Sequence, residues 1–161
     1  MCWQTIKTPR ALKSDTNKTV FKIGYIDTDD PRFFSGVLGF PYEFDKAYVV
    51  SRVVPIRQIN FDYNRDYYII GPGFHSYDAE HINICCKDDW MTLELNGRVV
   101  DNYMAEANTV IAVGYIPKGI RYFINEFNEI VSESIVLTKA FLVHGLPLPD
   151  RNDKNKYYVN L

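Results

Sequence analysis

His75 is the residue best placed to do chemistry. It follows Gly71-Pro72-Gly73, the sharpest break in the chain, and lies between Phe74 and Tyr77. Two glycines around a proline let the backbone turn tightly and approach a ligand closely. A histidine in that place suits proton transfer or anion contact near neutral pH. The N–H groups of such a turn, with Ser76 beside them, could hold a phosphate. The plainer alternative is a histidine that hydrogen-bonds its loop and fixes it. His75 and Tyr77 are thus the catalytic candidates, and Phe74, His75 and Ser76 the ligand-binding candidates of this segment.

A second group, Lys118, Arg121 and Tyr122, follows the Pro117-Lys118-Gly119 turn. Charge and an aromatic ring side by side can grip a nucleotide, one on the phosphate and the other on the base. A cross-strand pair of Arg121 with Glu126 on a solvated face is the simpler use of the same residues. His75, Asp78, Glu80 and His81 could suggest a metal site, but their spacing matches no zinc pattern. A solvated face explains these charges more simply, and no metal or other cofactor is expected. Cys85 or Cys86 could act as a nucleophile with His75 or His81 as base. Free cysteine is more often a small buried residue, and no small-residue elbow flanks this pair. No phosphate-binding loop, dinucleotide fingerprint, hydrolase elbow or kinase set is present.

These residues need a scaffold, and 161 residues are enough for one domain with its own core. Aromatic residues make up 15% of the chain, mostly Tyr and Phe, which favour strands and flat contact surfaces. A net charge of −2 argues against duplex nucleic acid as a partner, which needs a basic face. The longest apolar runs, such as Val110–Val113, are too short to span a membrane, and the N-terminus lacks the pattern of a signal peptide. Three cysteines, two of them adjacent, make a poor disulfide framework and point to a reducing, cytoplasmic setting.

Residues 1–18 read as a polar N-terminal arm, residues 19–149 as one β-rich domain and residues 150–161 as a polar tail whose Tyr157–Val159 could dock back. Strands are expected over Thr19–Ile26, Ala47–Val54, Ile56–Tyr63, Tyr67–Ile70, Ile120–Ile124 and Ile135–Val143. Thr109–Ile116 is expected to be central and buried. Asn96-Gly97 between Trp90–Leu95 and Arg98–Tyr103 predicts a two-residue type I′ hairpin. Ser76 or Asp78 could cap a short helix over Ala79–Asp88, and Met104–Asn108 could form one helical turn. The expected fold is α+β but mostly β: a twisted, largely antiparallel sheet or partly closed barrel with one or two short helices.

Three stretches carry a resemblance: Met1-Cys2-Trp3; Gly73-Phe74-His75-Ser76-Tyr77; and Tyr115-Ile116-Pro117-Lys118-Gly119-Ile120-Arg121-Tyr122-Phe123-Ile124-Asn125-Glu126, continuing to Glu129-Ile130-Val131-Ser132. Together they resemble a loose group of uncharacterised small proteins from gut anaerobic bacteria and their tailed phages. The chain departs from that group at Phe127-Asn128, where a glycine is expected in the turn; Asn tolerates the same backbone. The resemblance implies a phage-type or mobile-element accessory protein in the cytoplasm of a bacterial host, and supplies no catalytic residue. Two functions follow as expectations. One is a binding protein that captures a host protein or a small nucleotide-like ligand, as a counter to host defence. The other is an enzyme acting on a nucleotide or ADP-ribose-like substrate, with His75 and a partner such as Tyr77, Arg121 or Glu126.

Overall fold

The computed structural model describes residues 3–36, 38–60, 65–70, 72–143 and 157–159. Every regular element among them is a strand, and every strand pair is antiparallel. The organising strand is β3 (Lys18–Asp27). Val20 and Phe21 point to opposite faces and both are fully buried, so this strand is covered on both sides. One edge pairs with β13 (Thr109–Ile116) from Lys18↔Ile116 to Tyr25↔Thr109. The other edge is shared. β9 (Phe74–Asp78) takes Val20 and Phe21, while β4 (Asp30–Ser35) takes Gly24 to Asp27. Lys22 and Ile23 lie where these two partners part. A Cβ on Gly24 would stand 2.0 Å from the Phe34 carbonyl oxygen and 2.6 Å from the Phe33 ring, so β4 can lie this close only over a glycine.

Beyond β9 come β15 (Glu129–Ser132), β14 (Arg121–Ile124) and β2 (Leu12–Lys13). Beyond β13 come β16 (Ser134–Leu142) and β6 (Ala47–Val49). With β5 (Pro41–Tyr42) beside β4, the sheet has ten strands. Among the described residues its end strands β2 and β6 do not pair with each other, so the sheet does not close into a barrel. A four-stranded sheet has the order β12 (Arg98–Met104), β11 (Trp90–Leu95), β10 (Ile82–Lys87) and β17 (Tyr157–Val159). A three-stranded sheet joins β1 (Gln4–Thr5), β8 (Arg65–Ile70) and β7 (Pro55–Asn60).

Alternation sends successive residues to different cores. Phe21, Tyr77, Ile111 and Val113 pack with Ile84, Met91 and Leu93 of the four-stranded sheet. Val20, Phe74, Ala112 and Ile130 pack on the other face with Phe33, Tyr42 and Leu137. Trp3, Val53 and Ile70 cover Phe123 and Val131.

The predicted helix over Ala79–Asp88 is absent: the segment is a turn followed by β10. Ile82, Ile84 and Cys86 are buried at a spacing of two, which a strand satisfies and a helix does not. Asp78, read as a cap, instead accepts the Glu80 N–H at 3.0 Å and closes a tight turn. The helical turn at Met104–Asn108 is also absent. Met104 ends β12, and the Thr109 N–H donates to Glu106 O at 3.0 Å across a simple turn. The Asn-Gly hairpin forms as predicted, with φ of 52° at Asn96 and 78° at Gly97. Asn128, at φ 55°, occupies the position where a glycine was expected. Thr109–Ile116 is a central strand, almost wholly buried. Tyr157–Val159 returns to pair with Cys86, Cys85 and Ile84, while 150–156 of the predicted tail lie outside the described residues. Residues 1–18 contribute β1, β2 and the buried Trp3, whose Nε1 donates to Glu129 O at 2.9 Å. Among the described residues, no helix is long and apolar enough to cross a membrane.

Candidate functional site

Pro72 and Gly73 bend the chain as expected, with Gly71 outside the described residues, but the segment that follows is no loop. Phe74–Asp78 is an inner strand between β15 and β3, so His75 sits half-buried in the sheet. Phe74 and Ser76 project to one face; His75 and Tyr77 project to the other. Phe74 is 8% exposed and its ring lies 6.3 Å from that of Tyr42. Tyr77 Oη donates to Asp101 Oδ2 at 2.7 Å and lies 2.5 Å from Tyr103 Oη, which meets the same carboxylate oxygen at 2.9 Å. Burial pushes the Tyr77 phenol far above its ordinary range, so it is a fixed donor and not a base. This knot ties β9 to the outer strand β12.

The second group is dispersed. Lys118 is exposed in its turn, where its N–H donates to Asn17 Oδ1 at 3.0 Å. Arg121 and Tyr122 are neighbours on one strand and face opposite ways. Arg121 Nε donates to Glu133 Oε1 at 2.9 Å, its Nη2 bonds Val53 O, and its guanidinium lies over the Phe123 ring. The expected partner Glu126 instead accepts from Thr5 Oγ1 at 2.6 Å. His75 shares a row with Val131 and Phe123 across three strands, two residues along from Arg121. Tyr122 faces the other side, where Lys18 Nζ lies 6.0 Å from its ring centre.

Asp78, Glu80 and His81 bring their ligand atoms within 4.8 Å of one another, on the turn from β9 to β10. The buried Asp78 carboxylate is already engaged, by Lys18 Nζ at 3.3 Å and by His81 Nδ1 at 2.8 Å. Among the described residues this group does not include His75, which faces the opposite side of β9. Cys85 and Cys86 are buried and not joined in a disulfide, and burial pushes the Cys86 thiol up to about 11. Both are expected to react with iodoacetamide at least ~100-fold more slowly in the native protein than in urea. Peptide mapping checks this, and alkylation at the denatured rate would make either thiol a nucleophile candidate again.

A group that sequence reasoning missed lies on the inner face of β3. Lys22 is 7% exposed, and its ammonium donates to His75 O and lies 5.4 Å from the centre of the Tyr42 ring. Desolvation lowers its pKa from 10.5 to about 8. No carboxylate pairs with it among the described residues. Ser76 is 2% exposed on the same face, and its Oγ has no partner among the described residues. From Tyr42 the rings continue outward to Tyr48 at 5.0 Å and Phe40 at 4.8 Å, and Phe40 is 44% exposed. The available signal was a single lysine inside Val20-Phe21-Lys22-Ile23, an otherwise apolar stretch of the central strand.

The outer end of this series carries an apolar lip that spans both faces of the β4–β5 ribbon, with Phe40 on the face of Tyr42 and Tyr25 with Phe34 on the other. Leu38 is 87% exposed beside Phe40, and Tyr25 stacks on Phe34 at 5.4 Å next to Gly39. Two cations flank it, Arg32 over Phe34 and Lys46 over Tyr48. Each is neutralised locally: Arg32 by Asp30 at 2.6 Å and Lys46 by Glu43 at 2.8 Å. No family model, curated protein or solved structure matches this chain.

Proposed function

We propose that the chain is a non-catalytic binding module that captures a host protein through the lip formed by Leu38, Phe40, Tyr25 and Phe34. In keeping with the resemblance of its motifs, it acts as a phage-type or mobile-element accessory protein in the cytoplasm of a bacterial host. The observation that carries this reading is the makeup of the lip. Exposed apolar and aromatic side chains form its centre, and the flanking cations are already matched by Asp30 and Glu43. An apolar centre inside a polar rim is the anatomy of a protein interface. A nucleotide phosphate would instead call for an uncommitted cation at the edge. The enzymatic alternative has less support, because Tyr77, Arg121 and Glu126 are each held in a structural bond elsewhere.

Affinity capture from a bacterial lysate with the parent protein and with Leu38→Asp tests the reading. A partner retained by the parent should fall at least ~10-fold with the variant, because a charge at the centre of an apolar interface goes unpaired. The variant should melt within about 2 °C of the parent, as expected for an exposed position. Identical retained proteins on both baits would remove the lip from the interaction. A nucleotide seen bound by native mass spectrometry, and unaffected by Leu38→Asp, would favour small-ligand capture.

A further inference from the structure

We infer that Lys22 and Ser76 form an anion-binding site on the inner face of β3 and β9, and that it takes the carboxylate of a small aromatic acid. Both groups lie where β3 changes partner from β9 to β4. Pairing of Phe21 with Tyr77 makes Lys22 and Ser76 the next facing positions, on the face that also holds Val20 and Phe74. The carbonyl that accepts from Lys22 belongs to His75, whose peptide bond leads directly into Ser76.

An ammonium has three donors. Among the described residues, that of Lys22 has one acceptor and one ring face. A buried cation without a counter-charge is costly. Asp78, the acid on this face of β9, is already shared between Lys18 and His81. The Ser76 hydroxyl, 2% exposed and without a described partner, is the independent second sign of a ligand. Together the two groups offer donors and one positive charge, which suits an acceptor of charge −1. The rings packed around them are Tyr42 and Phe74, which meet edge-on at 6.3 Å, and Phe40 packs on Tyr42 at its exposed end. One positive charge among aromatic rings matches a monoanion with a flat apolar body better than a phosphate dianion. The lysine's long flexible stem lets its ammonium turn from the His75 carbonyl to meet the acid.

Benzoate is the probe, titrated by calorimetry into the parent protein, Lys22→Met and Ser76→Ala, with benzyl alcohol and inorganic phosphate as comparisons. Saturable benzoate binding is expected, at least ~10-fold tighter than either comparison. It should weaken at least ~10-fold in each variant, since each loses one bond to a charged group. Lys22→Met keeps the side-chain volume and removes a buried charge, and Ser76→Ala removes a hydroxyl without a described partner, so both variants are expected to fold. Circular dichroism confirms this before titration. Absent or unsaturable benzoate binding overturns the site, as does unchanged affinity in Lys22→Met. Equal affinity for benzyl alcohol overturns the anion, and equal affinity for phosphate overturns the carboxylate class.

Discussion

Ile111→Asp is expected to destabilise the protein by about 4 kcal/mol or more, which is a large share of the ~5–15 kcal/mol that holds a typical domain together. Ile111 is fully buried on β13, with Ile23 on one flank and Phe141 on the other. Beyond these lie Phe21, Ile84, Met91 and Leu93 of the same core. An aspartate there loses the apolar burial and leaves a carboxylate among hydrocarbon. Val113→Asp, two residues on and facing the same core, should cost less. Val113 is 5% exposed, and its cross-strand neighbour on β16 is Lys139, which can reach an introduced carboxylate. The difference between the two variants, about 1–2 kcal/mol, is the worth of a charge-assisted contact in this setting. Urea denaturation measures both. If Ile111→Asp yields no folded protein, circular dichroism of the two variants still ranks them. A Val113 variant as damaged as the Ile111 variant would show that Lys139 does not reach the core edge. A near-parental melting temperature for Ile111→Asp would remove β13 from the centre of the sheet.

That central placement was legible in the sequence because Val110, Ile111, Ala112 and Val113 form an apolar run in a chain without long helical periodicity. A strand covered on both faces has no alternation to display, only continuity. The Asn96-Gly97 hairpin was legible for a different reason: both residues adopt positive φ, which this pair tolerates best. The segment Ala79–Asp88 misled because Asp78 can close either a helix or a turn, and short apolar runs do not distinguish helix from strand. The site was less legible than the fold. His75 follows a real bend, but the next residues enter a strand whose partners, β15 and β3, lie about fifty residues away on either side. Local turn chemistry says nothing about pairings over that distance. Arg121 had the right kind of neighbour in Glu126, yet the register places Glu133 beside it instead. Lys22 gave a faint signal, one charge in an apolar stretch, and only the parting of β9 from β4 gives that charge its setting.

Lys22→Met is expected to make the protein more stable at pH 7, by about 1–2 kcal/mol. The lysine titrates near 10.5 when exposed and at about 8 in the folded protein, and the cause is burial. That displacement corresponds to roughly 3 kcal/mol of stability lost when the ammonium is carried into the fold. Methionine has a similar length and no charge, so it removes this cost. It also removes the hydrogen bond from Lys22 to the His75 carbonyl, which returns about 1–2 kcal/mol of destabilisation. The balance depends on pH in a defined sense. Below about pH 8 the amine is protonated in both the folded and the unfolded chain, and the full cost of burial is present. Between about 8 and 10.5 the unfolded chain holds the proton and the folded protein does not, so the parent gains stability as pH rises. Near pH 10.5 the advantage of methionine should therefore vanish. Its sign should then reverse, because the neutral amine still donates to His75 and methionine cannot. Ionisation of exposed tyrosines in this range affects both proteins alike and cancels in the difference. Urea melts of the two proteins at pH 7, 9 and 10.5 give the three differences needed. Destabilisation by methionine at pH 7 would mean that the ammonium is compensated in the fold, and a difference independent of pH would mean that it is not buried. A stabilised variant that has lost benzoate binding would show that the protein keeps this charge at the expense of its own stability, as functional sites commonly do.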